Sequence, residues 1–418
     1  MATGIFASNY NPPDFAQKSF GLNITKLMPN GMTSLLALTS LFSSETAKQI
    51  EHGFWVESMI FPELELTAQA SATDTVLNVV STENILPNTM FQTTGVIATA
   101  RENLIIDSVL SATQVRVSRG LGSVAPAIIP VNTKLIHAGS AFEESSLRPN
   151  AMSIPPIRVS NYTQIFRDTW AMSGTAAATK VITGVDPVGK DKNDGAGFHA
   201  MSLEKAFIFG QRYMGTRNNQ PFHLMDGLIQ MIGNPAFYPS YAPTPNVTHM
   251  GGTTTWAQLE TALDGTQNQV TTDSSGNERV ILCGSNFRKV VNNLGRLYGY
   301  NGAAGSNVQY TDPTSTTSFG LNFTSFVTTR GRYVLMEHPM FNTNADMQKM
   351  GLVLNVGQLK VAYMEGRNTD HKYFNKKGDE CAEDNGIDAI GGTFTTECTI
   401  THKNPASCAI ITNMTAAA

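Results

Sequence analysis

Charge is scarce in this 418-residue chain: Asp, Glu, Lys and Arg make up 15% of it, against about a quarter in ordinary globular proteins. Thr, Ser, Asn and Gly fill the shortfall, so the surface is polar without being highly ionised. A freely diffusing enzyme usually carries more charge to stay soluble, whereas a surface largely covered by neighbouring copies needs less. Basic excess is missing as well. A net charge of −4 argues against a dedicated nucleic-acid binder, which concentrates Lys and Arg because phosphate neutralisation dominates its affinity. Cysteine is rare: Cys283, Cys381, Cys398 and Cys408 form no CxxC pair and read as reduced, mostly buried thiols, not a disulfide framework. No apolar run reaches the ~18 residues that span a bilayer. The first residues also lack the basic-then-apolar pattern of a secretory signal. Synthesis and residence in a cytoplasm, away from membranes, are therefore expected. No repeat period appears, which removes solenoids and propellers.

The constellations that mark catalysis are absent too. The nearest two of the eight histidines, His199 and His223, lie 24 positions apart, so no HExxH or His-x-His spacing exists. His338 follows Glu337 at an expected strand end and reads as a partly exposed histidine. No Gly-x-Ser-x-Gly elbow occurs, nor a cysteine in a protease context. Gly184-Val-Asp-Pro-Val-Gly189-Lys190 fits seven positions of a phosphate-binding loop, but the eighth, which must be Ser or Thr to hold magnesium, is Asp191. The Gly- and Asp-rich stretch after it is no promising helix start, so residues 176–197 read as a surface linker. The neighbouring carboxylates Glu143 and Glu144, and Asp379 and Glu380, read as solvated charge; glycosidase carboxylates face each other from separate elements. The sequons at Asn23, Asn161, Asn246, Asn322 and Asn413 follow from composition. No catalytic, cofactor or metal residue is nominated, and no cofactor is expected.

What is present is organised. Residues 1–47 read as an irregular arm with a short helix at 32–43, and residues 48–67 as extended chain. Between 68 and 140, short β-type runs recur about every ten residues with turn residues between them, the rhythm of a small all-β unit. Leu203, Ala206, Phe207, Gly210 and Met214 repeat at helical spacing and predict a helix over 202–214. A short helix follows the Thr253–Thr255 cap. The strand 279–283 runs into a helix over 286–298 capped by Ser285, with Phe287, Val290, Val291, Leu294 and Leu297 on its inner face. Strands dominate after 308.

Several segments, in order along residues 50–410, resemble the major capsid proteins of tailed bacteriophages with the Hong Kong 97-type fold, in the branch with a small β-domain in the extended loop. They are Gly53-Phe-Trp-Val-Glu57, Gln114-Val-Arg-Val-Ser-Arg-Gly120, Asn161-Tyr-Thr-Gln-Ile-Phe-Arg-Asp168, Met172-Ser-Gly-Thr175, Met225-Asp-Gly-Leu228 and the stretch 391–406. The resemblance implies an α+β fold. Its parts would be an N-terminal arm (1–47), the outgoing side of the extended loop (48–67), an inserted small all-β domain (68–140) and the returning side (141–172). A peripheral domain with spine helix (173–224), an axial domain (225–335) and peripheral-domain strands (336–418) would follow.

The resemblance further implies a structural protein that self-assembles as pentamers and hexamers into an icosahedral head. That head would enclose double-stranded DNA gripped without sequence specificity, in a virion made in a bacterial cytoplasm. A portal, and decoration or separate scaffolding proteins, would be partners; residues 1–47 are too short and uncharged for a cleaved scaffold. Trp55 and Phe166 are the candidate inter-subunit anchors, because buried aromatics carry disproportionate interface energy. The competing reading is a β-rich phage tail or receptor-binding structural protein. The amphipathic helices and the strand–helix unit at 279–298 count against it.

Overall fold

A computed structural model describes residues 42–57, 63–94, 101–151, 153, 156–179, 186–234, 245–268, 276–300, 310–311, 323–375 and 386–415. It divides into two compact units, Trp55–Ile157, and Met1–Phe54 together with Arg158–Ala418. The expected helix at 32–43 lies outside the described residues apart from its last two, and Ser43 there already belongs to a strand.

The larger unit is built on two sheets. The first is five-stranded: Ser43–Ala47, Leu359–Met364, Ala389–His402 and Gln164–Ser173 follow in that order, and Asp370–Phe374 also pairs with Ala389–His402. Ala389–His402, 14 residues long, runs antiparallel to Gln164–Ser173 from Gln164↔Cys398 to Ser173↔Ala389. The end of the expected arm is thus a sheet strand, parallel to Leu359–Met364.

The second sheet has seven strands, in the order Val247–His249, Ala409–Thr412, Gly351–Leu354, Glu278–Cys283, Arg332–Glu337, Phe323–Val327 and Tyr310–Thr311. Two of these strands come from beyond residue 336. Glu278–Cys283 and Arg332–Glu337 are parallel, which demands a crossover, and the helix Ser285–Tyr300 lies in the chain between them. Side chains alternate across a strand, and the sheet uses this to separate two cores. Leu282, Met336, Leu352, Leu354 and Ile410 enter one; Ile281, Cys283, Leu335, Val353 and Ile411 enter the other, with Phe287, Val290, Val291 and Leu294 of the helix. Ser285 is the first residue of that helix and not its cap; the Asn342 side chain accepts its N–H at 2.8 Å. The shorter helix Trp256–Asp264 has the Thr255–Gln258 capping box.

The long helix differs most from expectation. It spans Pro187–Phe209, so half of the segment read as a linker belongs to this helix, and Met214 lies beyond it. Four features outweigh its glycines. Asp186 caps it, accepting from the N–H groups of Val188 and Gly189 at 3.1 Å each, and Pro187 takes the first-turn position where its missing N–H costs nothing. Lys190 and Asp194 pair one turn apart at 3.3 Å. Gly195 lets the helix lie directly on Trp170, since a Cβ there would come within 3.1 Å of the Trp170 Cβ. Gly210 ends the helix. The chain then makes a hairpin, Tyr213–Arg217 with Gln220–Leu224, whose turn residues Asn218 and Asn219 take the left-handed φ values of 51° and 59° that two-residue hairpins favour. Met214 is on that hairpin, 61% exposed.

The unit Trp55–Ile157 holds a six-stranded sheet in the order Leu64–Glu65, Lys134–Ser140, Thr89–Gln92, Asn103–Ser111, Gln114–Arg119 and Val76–Asn78. A bridge between Leu66 and Val79 joins the last strand to the first, so the sheet closes on itself and its terminal strands are not left as open edges. Its separate core includes Leu66, Leu77, Phe91, Leu104, Ile106, Val115 and Val117. A bidentate pair lies at the core's margin: Arg119 donates to Glu102 at 2.8 and 2.7 Å, with side chains 4% and 2% exposed.

Candidate functional site

The segment Asn161–Gln164 is the centre of a clasp. Its strand Ile157–Tyr162 pairs with Glu51–Val56 as a two-stranded ribbon. A Cβ on Gly53 would overlap the Val159 carbonyl oxygen, so only glycine permits that approach. Asn161 is 1% exposed. Its Nδ2 donates to the carbonyls of Ile400 at 2.8 Å and Asp226 at 3.1 Å, and its Oδ1 accepts from the Asp226 N–H at 2.9 Å. Thr163 donates to Glu397 at 2.9 Å, and Gln164 accepts from the Met225 N–H at 3.2 Å. Arg212 donates its backbone N–H to Asp226 Oδ1 at 2.7 Å and its guanidinium to the Ser160 carbonyl at 3.0 Å. It also lies over the Tyr162 ring at 4.1 Å and within 3.4 Å of Glu51. Gly210 and Gly227 cross so closely that a Cβ on Gly227 would come within 2.5 Å of the Gly210 nitrogen. Burial pushes the Asp226 carboxyl above its ordinary range against the pull of Arg212. The clasp joins the ribbon, the end of the long helix, the hairpin and the strand Ala389–His402, and it is mechanical: it presents no free nucleophile.

Two histidine–carboxylate pairs pin the long helix, one to each sheet. His199, on the helix, meets Asp168 at 2.7 Å and Thr396 at 2.8 Å. Glu204, also on the helix, meets His338 at 2.6 Å. His338 is fully buried, not partly exposed as its strand-end position suggested, because the short 3-10 turn after it, residues 339–342, folds over it.

Asp168, His199 and Thr396 have the connectivity of a nucleophilic triad, a grouping invisible in a sequence that separates them by 31 and 197 positions. Its chemistry is closed. Thr396 is inaccessible and its hydroxyl donates to Thr369 at 2.9 Å, so His199 has no proton to take from it. Cys408 and His402, 3.0 Å apart, are silent for another reason: burial pushes the thiol up to about 12. Burial, helped by Arg279, pushes the imidazole down to about 3, whereas a reactive dyad needs thiolate and imidazolium.

The other singled-out residues do not converge. Trp55 is 68% exposed, whereas Phe166 is 7% exposed within its own subunit's core. Lys190 belongs to a helix whose first-turn N–H groups already serve Asp186, and Gly184 lies outside the described residues. Glu143 and Glu144 are exposed; Asp379, Glu380 and Cys381 lie outside the described residues. Cys283, Cys398 and Cys408 are buried free thiols. Among the described residues, no three His, Cys, Asp or Glu side chains gather in a metal-holding group, and no helix is long and apolar enough to cross a membrane.

Comparison with known proteins gives concordant results. The family described as SU10 major capsid protein matches residues 7–415. The major capsid protein of Pseudomonas phage PaMx41 is 34% identical over 423 residues, which is 98% of this chain and 96% of that protein. Among solved structures, the Cyanophage A-1(L) capsid asymmetric unit is similar with a TM-score of 0.48 at 11% identity, over 98% of this chain and 99% of that one. The capsid of the native GTA particle is similar with a TM-score of 0.47 at 10% identity, over the same shares.

Proposed function

This chain belongs to the SU10 major capsid protein family, and from that membership we propose that it builds the closed icosahedral head of a tailed phage around double-stranded DNA. It is a structural, shell-forming protein of a phage virion that assembles with copies of itself. The single observation that carries the reading is the match along nearly the whole chain, residues 7–415. The mixed α+β architecture, with a long helix on a sheet, supports a Hong Kong 97-type subunit, and the separate β-unit reached through a two-stranded ribbon supports the branch with a β-domain in the extended loop.

The finer assignments rest on that frame. Copies form pentamers and hexamers, and the chain is made in the host cytoplasm and acts without catalysis. The closed triad and the neutral Cys–His pair support the last point. A portal, a separate scaffolding protein and decoration proteins are its partners, and the DNA is held without sequence preference. A wall with few charges suits this, because strong adhesion to phosphate would hinder packaging and release. Gln164–Ser173, expected on the returning side within 141–172, is a strand of the five-stranded sheet, and Leu64–Glu65, expected on the outgoing side within 48–67, is a strand of the β-unit. The two sides of the extended loop are instead the ribbon strands Glu51–Val56 and Ile157–Tyr162, and the loop carries the β-unit over a neighbouring copy. Trp55 is the anchor of that contact. Burying an indole that is 68% exposed contributes on the order of 3–4 kcal/mol at ~25 cal/mol/Å². Each contact stays modest, and symmetric repetition makes the closed shell stable.

Sedimentation and negative-stain microscopy of the purified chain, alone and with its genomic neighbours, test the reading. Shells, tubes or capsomer-sized rings are expected. A monomer or trimer under both conditions would overturn it.

A further inference from the structure

The β-unit Trp55–Ile157 displays a bare apolar loop. From Arg119 to Lys134 the chain has no charged side chain. Ile128 is 61% and Val131 50% exposed, and Pro126 and Pro130 are exposed beside them. Single apolar residues on a surface are ordinary, but a continuous run marks a contact.

The loop is also held fast. The Gly120 and Ala127 N–H groups are both donated to Glu102 at 3.2 Å, and Leu121 donates to the Asn103 carbonyl at 3.2 Å. Ile129 exchanges two hydrogen bonds with Ala70, at 2.9 and 3.0 Å, and Asn132 donates to the Leu66 carbonyl at 2.8 Å. Ile129 enters the unit's core while its neighbour Ile128 faces out. Backbone polar groups thus point inward and apolar side chains outward, on a frame that needs little further ordering when something binds. Pro126 and Pro130 have no N–H to add to a sheet, and the sheet closes on itself, so the loop offers apolar surface and not a strand edge.

We propose that this loop is a self-contact: in the shell, on whose reading the inference rests, it meets the same loop of another copy across a rotation axis. The charges of the unit select that occupant. Residues 55–157 contain nine acidic and five basic side chains, so two β-units repel each other wherever their ionised surfaces face. A patch that meets itself sets every charge against its like, and an uncharged apolar loop pairs with itself without that cost. A foreign partner would be drawn by basic residues of its own to the acidic excess, which this loop lacks.

Charges placed at Ile128 in the full chain test this. Ile128→Asp and Ile128→Lys, each alone, should form fewer particles than wild type, with the greatest loss at low salt, where like charges are least screened. Unassembled subunits should melt as wild type does, because the site is on the surface. Mixed one to one, the two variants should recover particles, since opposite charges then face each other. A loop that meets a different surface, or a different protein, gives a mixture no better than the average of the two variants, and that result overturns the proposal. Full assembly by each variant alone overturns it too. If either variant lowers subunit melting, Val131→Asp and Val131→Lys repeat the test at the neighbouring position. Wild-type chain that forms no particles overturns the shell reading, and the self-contact with it; a loss confined to the variants and not recovered by mixing overturns the self-contact alone.

Discussion

Replacing Arg119 by Met should strongly destabilise the β-unit Trp55–Ile157 while leaving the two sheets of the larger unit intact. The Glu102 carboxylate accepts four hydrogen bonds: two from Arg119, at 2.8 and 2.7 Å, and two from the N–H groups of Gly120 and Ala127, at 3.2 Å each. Arg119 also donates to the carbonyls of Ser71 and Ala127, tying three loops together. Burial by itself raises the Glu102 carboxyl. Its bonds to Arg119, Ala127 and Gly120 more than offset this and hold it below the usual carboxylate range. Removing one partner of a buried pair costs about 3–5 kcal/mol, because the other charge is stranded. Domains have ~5–15 kcal/mol in total, so the variant unit is left marginal.

Hydrogen exchange is the assay, since it reads the strands Asn103–Ser111 and Gln114–Arg119 separately from the rest. At a factor of ten per ~1.4 kcal/mol, protection there should fall on the order of a hundredfold to a few thousandfold, and Ala389–His402 should be unchanged. Arg119→Met with Glu102→Met removes both charges and should recover most of the loss. Acid should act in the same direction as the single variant. A carboxyl held low in the folded state contributes stability above its unfolded value, and this is lost as pH falls through the folded value. Protection that stays within threefold in Arg119→Met, or a double variant as weak as the single, would refute the reasoning.

Other outcomes follow from the same close packing. Gly227→Ala should lower the thermal midpoint or abolish soluble yield, because the new Cβ meets backbone at 2.5 Å and no side chain can give way; an unchanged midpoint would show that the crossing relaxes. Cys283, Cys398 and Cys408 should resist thiol reagents until the chain unfolds, since burial pushes all three upward, Cys283 and Cys408 to about 12. Rapid native labelling of Cys408 would contradict that burial. Trp55→Ala should leave the subunit's melting within about 0.5 kcal/mol of wild type, as surface changes do, and reduce shell yield. Full assembly at unchanged yield would remove the anchor.

Local signals made some elements legible in the sequence. The strand–helix unit Glu278–Tyr300 combines a β-branched run with a 3.6-residue apolar stripe, and Thr255-x-x-Gln258 is a capping box in plain text. The Asn161–Gln164 motif could be recognised but not explained, because its partners Asp226, Ile400 and Glu397 lie 65 to 239 positions away. The first half of the long helix was hidden. Its glycines and weak amphipathicity argue for a loop, and what holds it is tertiary: Trp170 beneath Gly195, and Asp168 and Thr396 around His199. Closure of the β-unit through Leu66 and Val79 left no local trace either. Trp55 and Phe166 looked alike as aromatic residues in extended chain, and only the strand's alternation separates them: Phe166 turns inward among Phe42, Ile400 and Leu359, while Trp55 turns to solvent.

The central claim is that this chain closes into a shell through contacts between copies. Cryo-electron microscopy of particles assembled from the purified chain, with scaffolding protein where it is needed, tests this most directly. Closed icosahedral shells with fivefold and sixfold capsomers are predicted, with Trp55 buried against a neighbouring copy. Particles that never form, from a chain that stays folded and monomeric or trimeric with every candidate partner supplied, would contradict it.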